Sequence, residues 1–201
     1  MVEIATDGGA ATAKLEGDAA TARFLLVLTH GSGGGVEAPD LLAARDAGLR
    51  TGGMVARVVQ PYQVRGARAP GSAERQDAAW VQIIDALRRL APDVPLVQGG
   101  RSNGARVACR TAAKVKARAV IALAFPLHPP NVPDRSRQAE LLQARAAGAA
   151  VLVVNGERDP FGIPGPEDAD RVVVVPGETH ALKGHRQVIS AAVADWLAIV
   201  L

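Results

Sequence analysis

The segment VQGGRSNGAR, residues 97–106, joins an apolar run to a helix-like stretch through a corner that holds one serine. Gly100, Ser102 and Gly104 spell the motif G-x-S-x-G at this predicted strand-to-helix junction, which is the setting in which the motif presents a nucleophile. Side chains at the two glycines would collide with the neighbouring strand and helix. We therefore expect Ser102 to project above the end of the sheet, and an ordinary glycine turn is the alternative interpretation.

Short apolar runs alternate with helix-like segments on both sides of this corner. The runs are continuous, without polar alternation, which is typical of parallel strands that are covered on both faces. Strands are predicted at residues 24–30, 54–60, 94–100, 118–125, 150–156 and 171–177, and helices at residues 39–50, 72–90, 103–115, 135–148 and 185–200. This order predicts an α/β protein, a three-layer α/β/α sandwich with a doubly wound, mostly parallel sheet. Ligands bind such sheets at the carboxyl ends of the strands.

The N-terminal segment differs from the rest, because residues 1–20 have the pattern of a hairpin or a pair of edge strands. A chain of 201 residues that is 48% apolar has enough material for one substantial core. We predict one domain over residues 1–201, with edge strands in 1–20 and the core in 21–201. No insertion between the predicted elements is long enough for a lid domain, so the site should be open.

Composition disfavours several classes of partner. The net charge of +3 comes from scattered arginines, and aromatic residues make up only 3% of the chain, so nucleic-acid binding has little support. No apolar run approaches the roughly 20 residues that cross a bilayer, and the N-terminal segment lacks a signal-peptide pattern. The single Cys109 cannot form an internal disulfide, which fits a reducing compartment. These features predict a cytoplasmic protein that binds neither nucleic acid nor membrane.

The sequence predicts neither a metal site nor a cofactor. His180 and His185 are five positions apart, whereas the histidines of a helical zinc motif are spaced i, i+4. The segment THGSGGG, residues 29–35, lacks the lysine of a P-loop and the glycine spacing of a dinucleotide site.

A serine hydroxyl needs a base that removes its proton, and the base needs a carboxylate that orients it. His180 follows the last predicted strand, where a loop histidine can reach the nucleophile, and His185 is the second choice. Asp159 follows the preceding predicted strand, in GERDPFG. The chain order Ser102, Asp159, His180 is the order that these motifs take on a doubly wound sheet.

Two other carboxylates compete with Asp159 for this role. Glu157 lies closer to the strand end and Glu178 precedes His180 by two residues, and we expect both to face solvent. An Asp-Pro turn is the alternative interpretation of Asp159, and a surface histidine is the alternative for His180.

Acyl transfer also needs hydrogen-bond donors for the oxyanion of its tetrahedral intermediate. Glycines in THGSGGG let the backbone approach a substrate, so the amide of Gly31 or Ser32 is predicted to act together with the amide of Asn103.

Three further residues are candidates for the lining of a substrate pocket: His30, His128 and Arg65. The histidines are equally explained as structural, His30 as a hydrogen bonder at the base of its loop and His128 as a side chain held by prolines. Arg65, together with Arg57 and Arg68, is predicted either to favour an anionic part of the substrate or to be solvated at the surface.

The segments THGSGGG, GGRSNGAR, GERDPFG and GETHAL resemble, in order and position, those of the α/β-hydrolase fold in its small, lidless, dienelactone-hydrolase-like form. The resemblance covers the chain from about Phe24 to its end. It implies that Ser102 is the nucleophile, His180 the base and Asp159 its orienter. Dienelactone hydrolases proper use cysteine as nucleophile, and the serine here argues against that specific reaction.

The segment FPLHPP, residues 125–130, together with GGRSNGAR resembles the branch that contains the testis-expressed and NSL-complex hydrolase-like proteins. Some members of that branch act through partner binding.

Two functions follow from these features. The first is a serine hydrolase that cleaves small carboxylic esters or thioesters through an acyl-serine intermediate. The alternative is a catalytically silent binding or scaffolding protein on the same fold. The expected partner is a small-molecule ester, and the apolar final helix is compatible with a monomer or a homodimer.

Overall fold

The computed structural model describes residues 1–201 and contains one eight-stranded sheet with helices on both faces. The strands are β1 Val2–Ile4, β2 Ala11–Glu16, β3 Phe24–Thr29, β4 Gly53–Val59, β5 Leu96–Arg101, β6 Ala119–Leu123, β7 Ala150–Gly156 and β8 Arg171–Val175. The helices are α1 Pro39–Arg50, α2 Pro61–Val64, α3 Ala73–Arg88, α4 Asn103–Thr111, α5 Gln138–Ala146 and α6 Arg186–Val200. No helix combines the length and the apolar character that crossing a bilayer requires.

The strand order is β1-β2-β4-β3-β5-β6-β7-β8, so β3 lies in the middle of the sheet between β4 and β5. β1, β2 and β4 pair antiparallel, and every pair from β4 through β8 is parallel. The chain runs from β3 to β4 in one direction and from β5 onwards in the other, so β3 and β5 flank the switch point. In such sheets the ligand crevice opens at the carboxyl ends of these strands, which is where the loop after β3 and the turn after β5 meet.

The predicted fold class is confirmed, including the N-terminal hairpin and the absence of a lid. Every predicted strand and helix is present; α1 and β7 have the predicted ends, and the ends of the others are shifted. The predicted strand 118–125 stops at Leu123, because Ala124 has a φ of 46° and turns the chain out of the sheet. The predicted helix 135–148 begins only at Gln138, after a series of turns. The short helix α2 was not predicted.

Two apolar layers, one on each face of the sheet, explain why the strand sequences lack polar alternation. Leu25 and Val27 of β3 belong to a cluster of 30 buried residues that also includes residues of α3, α4 and α5. Leu26 and Leu28 belong to a cluster of 21 buried residues that includes residues of α1 and α6. Successive residues point to opposite faces of a strand, so both sets must be apolar when both faces are covered.

Gln98 of β5 is a buried polar side chain that ties the strand before Ser102 to two helices. Its side-chain oxygen Oε1 accepts a hydrogen bond of 2.7 Å from the indole N–H of Trp80 in α3. Its side-chain amide nitrogen Nε2 donates to the Ala108 carbonyl oxygen of α4 at 2.8 Å. Trp80 is 1% exposed, as expected for a core residue. The three elements are therefore joined by directional bonds as well as by apolar packing.

We predict that Gln98→Leu lowers the free energy of unfolding by about 1–3 kcal/mol, because it leaves the buried indole N–H of Trp80 without an acceptor. Chemical denaturation measures the change. Gln143→Leu, at an exposed position of α5, is the control and should change stability by less than about 0.5 kcal/mol. Equal losses in both variants would contradict a special role of the buried bond.

Candidate active site

Ser102 occupies a strained turn between β5 and α4. Its φ of 51° and ψ of −116° are unusual for a residue with a side chain, and such conformations cost of order 1–3 kcal/mol. Two backbone bonds hold it there: the Ser102 N–H donates to the Leu123 carbonyl oxygen at 2.9 Å, and its own carbonyl oxygen accepts from the Arg106 N–H at 3.2 Å. The side chain is thereby directed away from the sheet towards the crevice.

The glycines of the motif are required by the close approach of backbone to backbone. A Cβ atom at Gly100 would lie 2.6 Å from the Thr29 carbonyl oxygen. A Cβ atom at Gly104 would lie 2.7 Å from the carbonyl oxygens of both Thr29 and His30. Real Cβ atoms do not approach oxygen so closely, so any side chain here would push the turn away from the end of β3.

The structure brings Ser102, His180 and Asp159 into one hydrogen-bonded chain. The Nε2 atom of His180 lies 2.9 Å from the Ser102 Oγ, and its Nδ1 atom lies 2.8 Å from the Asp159 Oδ2. The Asp159 side chain is fully buried and that of His180 is 20% exposed. A carboxylate at Nδ1 holds the proton on that nitrogen and leaves Nε2 free to accept the serine proton.

Asp159 is itself held by groups that the sequence analysis did not single out. The Phe161 N–H donates to its Oδ1 at 2.9 Å, and the Asn155 side-chain amide donates to its Oδ2 at 3.2 Å. Asn155 is fully buried and is fixed in turn by the Phe125 backbone. The signal in the sequence was a polar residue at the end of an otherwise apolar strand. The Phe161 ring also packs against His180, with 4.3 Å between ring centroids.

The competing carboxylates have other partners. Glu157 is exposed and accepts a hydrogen bond from the Gly177 N–H. The expectation that Glu178 faces solvent is wrong: its side chain is 10% exposed and accepts from the backbone N–H groups of Lys183, Gly184 and His185. The His185 Nδ1 also bonds it at 2.9 Å. The His185 bond is the main reason that the pKa of Glu178 lies below its ordinary value.

The backbone amides predicted for the oxyanion lie beside Ser102. Gly31 packs so closely that a Cβ atom there would lie 3.1 Å from the Ser102 Cβ, and Ser32 and Asn103 line the cavity. None of these three N–H groups donates to a backbone carbonyl. Asn103 is the first residue of α4, where helix N–H groups have no intrahelical partner. The donors that an oxyanion needs are therefore free.

The cavity in front of Ser102 has a volume of about 800 Å³ and is open to solvent. Its apolar part is formed by Pro126, Pro160, Phe161 and Ala181. Its polar part includes four arginine side chains, those of Arg101, Arg106, Arg137 and Arg158. No group of three or more His, Cys, Asp or Glu side chains is arranged to hold a metal ion.

The two histidines proposed for the pocket do not line this cavity. His30 is fully buried, donates from Nδ1 to the Gly31 carbonyl oxygen at 2.8 Å and accepts from the Gln60 N–H at 3.0 Å. Burial lowers the pKa of His30, so it is a neutral, structural side chain that shapes the loop. His128 bonds the Pro129 carbonyl oxygen at 2.9 Å and packs against Gly162.

The arginines that were predicted to recognise an anion do not line this cavity either. Arg65 is exposed, bonds the Gly8 carbonyl oxygen and lines a separate cavity. Arg57 is 1% exposed and pairs with Glu16 and Glu37, both at 2.9 Å. Arg68 is exposed and does not line the cavity. The arginines at the cavity come instead from three parts of the chain: Arg101 and Arg106 flank the turn at Ser102, Arg158 directly precedes Asp159, and Arg137 directly precedes α5.

Arg101 links the turn at Ser102 to the loop that carries His180. Its Nε donates to the Asp40 Oδ2 at 2.8 Å, and its Nη2 donates to the His180 carbonyl oxygen at 2.8 Å. The Asp40 side chain is fully buried. Burial raises the pKa of Asp40, and the charge of Arg101 opposes that rise. The pair therefore stabilises the carboxylate and the backbone of His180 together.

Comparison with known proteins agrees with this fold. The family model described as "Alpha/beta hydrolase domain" matches residues 22–172. The chain therefore belongs to the α/β hydrolase family. The comparison with curated proteins found no match. The assignment to the testis-expressed and NSL-complex branch stays a prediction.

Several solved structures share the fold at low sequence identity. Est1E from Butyrivibrio proteoclasticus aligns with a TM-score of 0.79 and 16% identity, over 98% of this chain and 97% of its own. A lidless α/β serine hydrolase from Xanthomonas campestris aligns with a TM-score of 0.73 and 18% identity, over 97% and 93%. A dienelactone hydrolase from Anabaena variabilis aligns with a TM-score of 0.77 and 16% identity, over 100% and 96%.

We predict that Arg101→Met lowers the free energy of unfolding by about 3 kcal/mol, because it leaves the buried Asp40 carboxylate without its counter-charge. Adding Asp40→Asn removes that charge and should restore most of the loss. Denaturant unfolding of the two single variants and the double variant measures the coupling. A double variant no more stable than Arg101→Met would contradict this account.

Acid stability should depend on Glu178. Its folded pKa is below the ordinary value of 4.5, so its contribution is complete above that value and is lost as the pH falls through the folded pKa. Between about pH 5 and about pH 3 the wild type should therefore lose more stability than Glu178→Gln. Denaturation at a series of pH values measures both slopes. A loss of stability in Glu178→Gln that runs parallel to that of the wild type would contradict the assignment.

Proposed function

We propose that this protein is a serine hydrolase that cleaves small carboxylic esters or thioesters through an acyl-Ser102 intermediate. The observation that carries the proposal is the position of His180, with Nε2 at 2.9 Å from the Ser102 Oγ and Nδ1 at 2.8 Å from Asp159. This is the geometry in which a neutral histidine acts as a general base towards a serine hydroxyl.

In the first half-reaction the Ser102 oxygen attacks the substrate carbonyl carbon while its proton moves to the His180 Nε2. The Asp159 carboxylate stabilises the imidazolium that forms. The carbonyl oxygen becomes an oxyanion, for which the free amides of Ser32 and Asn103 are the proposed donors. Removing one such donor typically costs about 10²- to 10³-fold in kcat.

Collapse of the tetrahedral intermediate breaks the bond to the alcohol or thiol, which leaves with the proton from His180. A water molecule then gives a proton to His180 and attacks the acyl carbon. The second intermediate collapses to a carboxylic acid, and the proton returns to Ser102. The steps are redox-neutral and consume one water per ester.

The open cavity supports a small and accessible substrate rather than a long buried acyl chain. Pro126, Pro160 and Phe161 provide a limited apolar surface next to Ser102, enough for a short acyl or aromatic group. The names of the similar structures, which include a lidless serine hydrolase and a dienelactone hydrolase, are consistent with hydrolysis at such a site.

The test is covalent labelling with a fluorophosphonate. We expect a single adduct on the wild-type protein by intact mass, no adduct on Ser102→Ala, and normal labelling of Ser190→Ala, whose serine lies in α6. Asp159→Asn should lower kcat for a p-nitrophenyl ester by about 10⁴-fold, because the histidine loses its tautomer and orientation. A folded wild-type protein that takes up no probe would overturn the proposal in favour of a silent binding protein.

A further inference from the structure

The wall of the cavity at Ser102 is strongly cationic. Arg101, Arg106, Arg137 and Arg158 all line it, and no aspartate or glutamate does. The cavity therefore contains more positive groups than the hydrolysis of a neutral ester requires. Whether these charges are available to a ligand depends on what each guanidinium group already contacts.

Two of the four are neutralised from behind the cavity. Arg101 pairs with the buried Asp40 at 2.8 Å. Arg106 makes a two-point pair with Glu140, with Nε to Oε2 at 2.9 Å and Nη2 to Oε1 at 2.7 Å. These two guanidinium groups are held in place by carboxylates and contribute little net charge to the cavity.

The other two have no carboxylate within ion-pair distance. Arg137 donates from Nη1 to the Pro126 carbonyl oxygen at 2.9 Å, and Arg158 donates from Nε to the Gly177 carbonyl oxygen at 3.0 Å. These are backbone contacts that position the side chains without neutralising them.

Of these two arginines, Arg137 has the greater need of an anionic partner, because it is half-buried. Burial, followed by the neighbouring positive charge of Arg106, lowers the pKa of Arg137. Desolvated charges without a partner are unfavourable in proteins. An anion in the cavity would relieve this cost, and the planar guanidinium fork matches carboxylate and phosphate oxygens in a two-point geometry.

We propose that Arg137 and Arg158 form a subsite for an oxyacid anion, a carboxylate or a phosphate, carried by the substrate. The natural substrate is then an ester with a second, negatively charged group close to the bond that is cleaved. This inference rests on the proposed hydrolase function and specifies its substrate class. It replaces the expectation that Arg57, Arg65 and Arg68 recognise an anion, because those side chains lie away from Ser102.

The test compares esters that differ in charge and little in shape. The substrates are 4-acetoxybenzoate, its neutral analogue 4-acetoxybenzamide, and 4-acetoxyphenyl phosphate, with release of the phenol followed by chromatography. The wild type should prefer one or both anionic esters, and the more favoured one identifies the anion as carboxylate or phosphate. Arg137→Gln should reduce the anionic-to-neutral ratio of kcat/KM by about ten- to a hundredfold, through a higher KM for the anionic ester.

Arg65→Gln is the matched control, because it removes an arginine outside this cavity, and its ratio should stay within about twofold of wild type. Equal kcat/KM for charged and neutral esters in the wild type, with no change in Arg137→Gln or Arg158→Gln, would overturn the subsite and leave the hydrolase function intact.

A second measurement separates the two proposals if no ester is cleaved. Calorimetry would compare the binding of 4-hydroxybenzoate and 4-hydroxybenzamide to the wild type and to Arg137→Gln. Binding of the benzoate alone, lost in the variant, would support the anion subsite while overturning the hydrolase. Absence of binding by either compound, together with absence of cleavage, would overturn both.

Discussion

The turn after β5 lies against the end of β3 so closely that a Cβ atom at Gly100 or Gly104 would come within 2.7 Å of the Thr29 carbonyl oxygen. This contact sets the position of Ser102, because the turn can approach β3 only if both flanking residues lack side chains. It also brings the loop that begins at Gly31 next to Ser102. Ser102 and the amides proposed as oxyanion donors are thus placed by one backbone-to-backbone contact, and His180 and Asp159 are added from strands further along the sheet.

Buried carboxylates perform three different tasks around this turn. Asp159 orients His180, Asp40 anchors Arg101, and Glu178 collects the N–H groups of the segment between His180 and α6. Each is satisfied by donors at hydrogen-bond distance, as buried charges must be. Two side chains hold the loop that carries His180. Arg101 bonds the His180 backbone, and Glu178 binds the N–H groups of the segment that follows His180.

The sequence was sufficient for the strands, the five longer helices and the three residues of the hydrogen-bonded chain, because each of those three residues lies in the turn or loop that follows its own strand. Positions that depend on distant segments were not predictable in this way. Glu178 was predicted to face solvent because three of its four partners are backbone amides, which carry no residue signature. Arg137 and Arg158 lie in separate loops, and Arg101 and Arg106 belong to β5 and α4, so no single segment predicts the set of cavity arginines. The arginines around Arg65, which are close together in the sequence, suggested an anion site that the fold places away from Ser102.

His180 follows β8, which is the last strand of the sheet and is hydrogen-bonded on one side only, to β7. Ser102 follows β5, which is paired on both sides. Edge segments of proteins open locally at lower free energy than the centre of a sheet. We therefore expect His180 to belong to a less protected cooperative unit than Ser102, so that fraying of β8 would separate the two side chains while the rest of the fold persists. Amide exchange along β8, rather than global unfolding, reports how often the assembled site is interrupted.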